Sequence, residues 1–98
     1  MEKGTPHCKL KIVKAMVAAG SARITAVALA GGAQLGFDAR QILDVVCGLT
    51  PKEFYKSMTT YEDHTVWQDV YHANTRAGAV YLKLTVVEGV VVVSFKEK

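Results

Sequence analysis

Cysteine, proline and tryptophan are scarce in this chain, and long hydrophobic runs are missing. Its 98 residues include two cysteines, two prolines and one tryptophan. Cys8 and Cys47 form no Cys-x-x-Cys motif and the three histidines are scattered, so neither a disulfide framework nor a zinc site is expected. No apolar run approaches the ~20 residues that a membrane-spanning helix requires. We therefore expect free thiols, no bound metal or cofactor, no membrane contact and a cytosolic protein.

The chain has little excess of either charge. Twelve Lys and Arg residues against nine Asp and Glu residues give a net charge of +3. Many ordinary domains carry such a charge, so by itself it is a weak pointer to nucleic acid. Half of the residues are hydrophobic, which is enough to build a core at this length. One folded domain covering residues 1–98 is expected.

The first half of the chain has the spacing and capping residues of short helices. Apolar positions predict a first helix over residues 6–19. Thr25 can cap a second helix over residues 25–36, interrupted by two glycines. Asp38 and Gln41 resemble a capping box that starts a third helix, which ends at residue 48.

Two further short elements are predicted beside these helices. Thr50, Pro51 and Glu53 have the order of an N-cap, a first-turn proline and a capping-box acid. They predict a fourth, short helix that carries Phe54, Tyr55 and Lys56. Residues 22–24 are expected to form a short edge strand between the first two helices.

The second half of the chain changes to the alternating pattern of strands. Residues 57–61, 66–73, 79–87 and 90–96 are predicted strands, separated by polar turns. The last turn, Glu88-Gly89, has two residues and suits a tight hairpin. The fold class predicted is α+β, with short N-terminal helices packed on one face of a mostly antiparallel sheet.

The tight hairpin fixes which side chains share a face of the sheet. If Val87 lies opposite Val90, then Lys83 lies opposite Ser94 and Tyr81 lies opposite Lys96. One face of the hairpin is then polar and basic (Tyr81, Lys83, Thr85, Ser94, Lys96). The other face is apolar and suits the helices (Val80, Leu82, Leu84, Val86, Val91, Val93, Phe95).

The strand at residues 66–73 can join this sheet in two ways. Gln68 reaches the polar face if Val70 pairs with Tyr81, whereas a shift of one residue sends Trp67, Asp69 and Tyr71 there instead. The aromatic residues of the odd-numbered set favour its facing the core, with Trp67 as a core anchor. The register itself stays open from sequence alone.

The stretch from Phe54 to Tyr71, FYKSMTTYEDHTVWQDVY, is the most informative part of the chain. It sets a lysine, several aromatics, an amide and a histidine between a capped turn and a run of strands. Together with the N-terminal MEK and TPH, the later VYLK and the closing VSFKEK, it closely resembles the motility quorum-sensing regulator (MqsR) toxins. These are small bacterial endoribonucleases that cut messenger RNA. The resemblance covers nearly the whole chain and implies a RelE-like ribonuclease toxin architecture.

The resemblance also implies a set of site residues. Lys56, Gln68 and Tyr81 match the lysine, glutamine and tyrosine that form the catalytic set of the family. Residues predicted to support catalysis or bind RNA lie beside them (Tyr55, Met58, Lys83, Lys96). A lysine can offset the charge of a phosphorane, a phenol can give or take a proton, and an amide can only form hydrogen bonds. The expected reaction is metal-independent attack by the 2′-hydroxyl of the RNA.

The same resemblance implies substrate and partners. It implies ribosome-independent cleavage of single-stranded mRNA at short GC-containing sites, with growth arrest when the toxin is uninhibited. It also implies a cognate antitoxin that binds zinc and DNA. Residues 72–77, Glu88-Gly89 and much of the helical half differ from the better-known members, which affects the expected cut site and antitoxin contacts.

Two other functions use the same features. A non-catalytic RNA- or protein-binding module would need Lys83 and Lys96 but would have no need for the phenol of Tyr81. A third possibility makes residues 79–87 or 90–96 a docking edge for a partner chain, with catalysis lost. Without the resemblance, the basic face is equally typical of a solvated sheet surface.

Overall fold

The computed structural model describes all of residues 1–98. The chain forms six strands and three α-helices, with a one-turn 3₁₀-helix at Pro51–Glu53 before the third strand. In chain order the elements are β1 (Glu2–Lys3), α1 (Leu10–Ala18), β2 (Ala22–Ile24), α2 (Ala26–Gln34), α3 (Ala39–Cys47), β3 (Phe54–Thr59), β4 (Trp67–Thr75), β5 (Gly78–Val87) and β6 (Val90–Glu97).

The predicted caps of α2 and α3 are confirmed. The Thr25 hydroxyl accepts a hydrogen bond from the Ala28 backbone N–H at 3.1 Å. Asp38 and Gln41 form the complete capping box, each side chain accepting from the other residue's backbone N–H at 2.8 and 2.9 Å. The first helix is shorter than predicted: it begins at Leu10, because Lys9 before it is extended, with φ −65° and ψ 139°.

The predicted fourth helix is wrong beyond Glu53. Thr50 and Glu53 do form a capping box, but it closes only the 3₁₀ turn. Phe54 is already extended, with φ −64° and ψ 131°, and starts β3. Its ring packs edge-on against Tyr71 across β3 and β4, with centroids 5.4 Å apart. Sheet pairing and aromatic packing therefore override the local helix signal, and Tyr55 and Lys56 lie on a strand.

All six strands form one sheet in the order β1-β3-β4-β5-β6-β2. Every pair is antiparallel except β2 with β6, which is parallel. The edge strand predicted at residues 22–24 is confirmed. The opposite edge, β1, was not expected; it pairs Glu2 with Met58 and Lys3 with Ser57.

The hydrophobic core lies between the three helices and one face of the sheet, which confirms the predicted α+β arrangement. Its members come from the helices and their loops, and from alternate residues of β4, β5 and β6 (Val13, Ala28, Phe37, Ile42, Val46, Leu49, Tyr71, Ala73, Val80, Leu82, Leu84, Val91, Val93, Phe95). Because all three helices pack on this side, the other face of the sheet stays uncovered. None of the helices is long and apolar enough to span a membrane.

The odd-numbered residues of β4 face the core side, as their aromatic content predicted, but Trp67 is not a core anchor. Tyr71 and Asp69 are 1% and 2% exposed. Trp67 is half-buried and lies outside the core cluster. Its ring stacks on His7 with centroids 5.5 Å apart, and the Lys3 ammonium lies 4.3 Å from its centroid. Trp67 therefore packs against the N-terminal segment, a contact that depends on the unpredicted position of that segment.

Candidate active site

The uncovered face of the sheet carries the predicted polar residues. In the β5–β6 hairpin Tyr81 pairs with Lys96 and Lys83 with Ser94, as the turn predicted. In β4–β5, Val70 pairs with Lys83 and His72 with Tyr81. The sequence left this register open, and the pairing considered there, Val70 with Tyr81, lies two residues from the observed one. Because side chains alternate along a strand, an even shift leaves Gln68 on the predicted face.

A β-bulge in β3 brings three more predicted residues to this face. Phe54 pairs with Tyr71 while Lys56 pairs with Val70, so Tyr55 is an extra residue in β3. Bulges locally re-aim side chains. Here Phe54 packs toward the core, whereas Tyr55 stacks on His72 with centroids 4.3 Å apart. Met58, two residues beyond Lys56, pairs with Gln68.

These side chains surround an open depression of about 230 Å³. Six of the seven predicted site residues line it, together with Val70 of β4 (Tyr55, Lys56, Met58, Val70, Tyr81, Lys83, Lys96). Val70 is 3% exposed although it lies on the uncovered face, because its neighbours close over it. Gln68 does not line the depression; it lies two residues from Val70 along β4, beside Met58.

The depression is basic and has one carboxylate at its margin. The Lys56 ammonium and the Glu2 carboxylate are 2.7 Å apart, with side chains 28% and 59% exposed. Their hydrogen bond raises the pKa of Lys56 and lowers the pKa of Glu2. Lys83 and Lys96 have no carboxylate partner. An anion that approached the depression would therefore meet three ammonium groups, one of them already held by a replaceable counter-ion.

His72 is a site neighbour that the sequence prediction missed. It is the cross-strand partner of Tyr81, and the two rings meet edge-on with centroids 4.7 Å apart. The signal was present: residues 68, 70 and 72 share one face of a strand, so the argument that placed Gln68 also placed His72. Because the register of this strand stayed open, the pairing of His72 with Tyr81 could not be predicted.

This arrangement suits chemistry on a phosphodiester more than chemistry on a neutral group. Ammonium groups that point at one small volume stabilise negative charge where it develops. A phenol in the same depression can exchange a proton with a bound ligand. Exposed aromatic rings such as Tyr55, which is 53% exposed, offer stacking surfaces for unpaired bases.

Comparison with known proteins decides which family this is. The profile of the family described as "Motility quorum-sensing regulator, toxin of MqsA" matches residues 5–97. The chain belongs to the MqsR toxin family. Among relatives of this family, the "mRNA interferase toxin MqsR" of Escherichia coli (strain K12) is 53% identical over 98 residues, which is the full length of both chains. The resemblance inferred from the FYKSMTTYEDHTVWQDVY stretch is thereby confirmed.

Membership of the MqsR family gives the depression a context but assigns no roles within it. Lys56 and Tyr81 lie on β3 and β5, on either side of β4, and both line the same depression. Gln68 shares their face but is displaced along β4. The catalytic and supporting roles predicted for these residues remain predictions.

Proposed function

We propose that this protein is an mRNA interferase: a toxin that cleaves single-stranded messenger RNA at the depression on its uncovered sheet face. The observation that supports this most directly is the convergence of Lys56, Tyr81 and Lys96 on one open, basic volume. The E. coli relative, named as an mRNA interferase toxin, supports the same activity, since identity of 53% extends over the whole of both chains.

The proposed reaction uses a nucleophile supplied by the substrate. The 2′-oxygen of a ribose attacks the adjacent phosphorus, and the bond from phosphorus to the 5′-oxygen breaks. One proton leaves the 2′-hydroxyl and one is delivered to the 5′-oxygen. The products are a 2′,3′-cyclic phosphate and a 5′-hydroxyl, and no metal ion is needed for this balance.

Lys56 is assigned to the charge that grows on the phosphorane. Its hydrogen bond to Glu2 raises its pKa, so the ammonium is charged throughout the physiological range. When RNA binds, a phosphate oxygen would take the place of the Glu2 carboxylate. Lys96, the cross-strand partner of Tyr81, supplies a second positive charge on the other side of the depression.

Tyr81 is assigned to proton transfer, as donor to the leaving 5′-oxygen or as acceptor from the 2′-hydroxyl. It is a phenol that lines the depression directly opposite Lys96, a lysine without a carboxylate partner. Gln68 cannot titrate, and its place beside Met58 suits a hydrogen bond to a phosphate or base next to the scissile one. Selection of short GC-containing sites would depend on such contacts along β4.

The family description, "toxin of MqsA", supports a dedicated antitoxin as partner. We propose a cognate antitoxin that binds zinc and DNA, so that zinc belongs to the partner and not to this chain. A messenger RNA substrate implies that the protein acts in the cytosol, where unopposed cleavage stops translation and growth.

The test is cleavage of a long single-stranded RNA by purified protein in EDTA, with the 5′ ends of the fragments mapped. Wild type is expected to cut at a short recurring sequence and to leave 5′-hydroxyl ends. Lys56→Ala and Tyr81→Phe should each lose most activity, whereas Lys52→Ala, an exposed lysine on the 3₁₀ turn, should keep it.

Binding assays with the same variants separate an enzyme from a binding module. Tyr81→Phe keeps the ring and loses only the hydroxyl, so RNA affinity should change little while cleavage falls. If folded wild type shifts RNA in a gel without cutting it, the enzyme proposal fails. If Tyr81→Phe cuts at the wild-type rate, the role of its phenol is wrong although the activity stands.

A further inference from the structure

Three rings from three adjacent strands form a row at the margin of the depression. His72 of β4 lies in the middle, stacked on Tyr55 of β3 and edge-on to Tyr81 of β5, at centroid distances of 4.3 and 4.7 Å. Tyr55 and Tyr81 line the depression, whereas His72 does not. The imidazole therefore contacts two residues of the depression without lining the depression itself.

The contacts of the imidazole define its protonation. Its Nδ1 lies 3.3 Å from the ammonium nitrogen of Lys98. An ammonium can only donate, so Nδ1 is the acceptor and the proton of the neutral ring is on Nε2. Nε2 is buried and has no hydrogen-bond partner. Burial, and then the charge of Lys98, lower the pKa of His72 below its ordinary value of 6.5.

His72 forms no ion pair with a carboxylate side chain. The rings of Tyr55 and Tyr81 and the ammonium group of Lys98 contact it. The same face of the sheet carries three more cations (Lys56, Lys83, Lys96). Glu2 is engaged by Lys56, and Glu97 pairs with Val80, a core-facing position. A proton added to His72 would therefore break its bond with Lys98 and place two cations side by side.

We propose that His72 is a positioning residue of this active site, which in its neutral form holds the Tyr55 ring as a stacking surface for an unpaired RNA base and holds Tyr81 at the depression. The proposal rests on the proposed ribonuclease function and deepens it. Tyr55 is the bulge residue of β3 and is 53% exposed, so the sheet ladder alone does not fix its ring. The face-to-face contact with His72 supplies that order before RNA arrives.

The experiment compares wild type, His72→Phe and His72→Ala in cleavage of a short single-stranded RNA, with kcat and KM measured from pH 5 to pH 8. Phenylalanine keeps the ring, so His72→Phe should retain kcat and KM within about twofold at pH 8. Alanine removes the support, so KM should rise about two- to tenfold, the range of one aromatic contact, with a loss of kcat.

The pH profile separates positioning from simple structural support. Wild-type activity should fall as the pH drops below 6.5, when His72 gains a charge, and His72→Phe should lack that part of the fall. His64→Phe, which changes an exposed histidine in the β3–β4 loop, should keep the wild-type profile. Circular dichroism of each variant at each pH identifies any loss of folding.

A second measurement keeps the inference independent of catalysis. Binding of a 2′-O-methyl RNA, which lacks the attacking hydroxyl, should be about two- to tenfold weaker for His72→Ala and unchanged for His72→Phe. If wild type cleaves but both variants match its KM, its binding constant and its pH profile, the inference about His72 is overturned and the proposed function stands. If wild type does not cleave, the proposed function fails, and equal binding by all three proteins would overturn the inference as well.

Discussion

Replacing Asp69 by asparagine should destabilise the fold by about 2–4 kcal/mol, although the two side chains have the same shape. Asp69 is 2% exposed and lies on the core side of β4. Its two carboxylate oxygens accept hydrogen bonds from the backbone N–H groups of His7 and Cys8, both at 2.9 Å. One carboxylate thus fastens the segment between β1 and α1 to the sheet, and we call this pair of hydrogen bonds the Asp69 clip.

The magnitude follows from counting donors and acceptors. The asparagine amide has one oxygen, so one backbone N–H keeps a neutral bond while the other faces an NH₂ group. A hydrogen bond to a charged group contributes about 1.5–3 kcal/mol, and the bond that remains is weaker without the charge. The sum of about 2–4 kcal/mol is a large share of the 5–15 kcal/mol typical of a domain. For a chain of this size the melting temperature should fall by roughly 10–25 °C.

The assay is urea unfolding followed by tryptophan fluorescence and circular dichroism in parallel. Trp67 is the one tryptophan and stacks directly on His7, so its fluorescence reports the clipped segment. Circular dichroism reports the whole fold. Asp44→Asn makes the same chemical change at an exposed position of α3 and should shift stability by no more than about 0.5 kcal/mol.

Two results would refute this reasoning. If Asp69→Asn unfolds within about 0.5 kcal/mol of wild type, the clip contributes no more than an ordinary surface charge. If the Trp67 signal changes at low urea while the dichroism midpoint stays unchanged, the clip orders only the N-terminal segment and not the fold.

Three other substitutions test further contacts. Gly32→Ala would place a Cβ 2.6 Å from Ile42 Cδ1 in the core, so thermal or urea melts should show a loss of about 1–3 kcal/mol despite the better helix propensity of alanine. Tyr71→Phe removes a buried hydroxyl that has no partner, so stability at pH 7 should change by less than about 1 kcal/mol. Burial raises the pKa of Tyr71 to about 12, so the wild-type free energy of unfolding should decrease as the pH rises from 10 toward 12. The tyrosinate absorbance of wild type should show a step near pH 12, which Tyr71→Phe should lack. Glu2→Gln frees Lys56, so RNA binding measured by anisotropy should strengthen a few-fold.

Each of these has a matched control elsewhere in the chain. Gly31→Ala places its Cβ 3.5 Å from the Phe95 carbonyl oxygen, an ordinary contact, and should stabilise α2 by up to about 1 kcal/mol. Tyr61→Phe, at a ring that is 99% exposed, should leave the high-pH absorbance step in place. Glu62→Gln, in the exposed β3–β4 loop, should not change RNA affinity. Equal effects of test and control in any pair would contradict the contact proposed for it.

The elements that the sequence predicted well are those fixed by neighbouring residues. The caps of α2 and α3 act within three residues, and both were found from sequence. The β5–β6 register depends on a two-residue turn, and Glu88 and Gly89 both have positive φ, 51° and 77°, as such a turn requires. A two-residue turn allows few registers for the strands it joins, so the sequence alone predicted the pairing of Tyr81 with Lys96.

The elements that were missed depend on residues far away in the chain. The short helix expected at Phe54 gave way to a strand because β4 offers Tyr71 as a packing partner. Strand β1 exists because Glu2 and Lys3 pair with β3, more than fifty residues away. Neither contact can be predicted from the neighbouring residues in the sequence. Trp67 was wrongly assigned to the core because its partner, His7, is also distant in the chain.

The geometry of the candidate site depends on both kinds of contact, so only part of it could be predicted from the sequence. Tyr81, Lys83 and Lys96 share a face through local turn chemistry. Lys56 joins them only through the bulge at Tyr55, which is set by pairing with β4. The bulge also brings the Tyr55 ring onto His72 and lets Lys56 reach Glu2 on β1. The geometry of the candidate site therefore depends on one irregularity in an otherwise regular sheet: without the extra residue, Lys56 would not lie opposite Val70 and would not share a face with Tyr81.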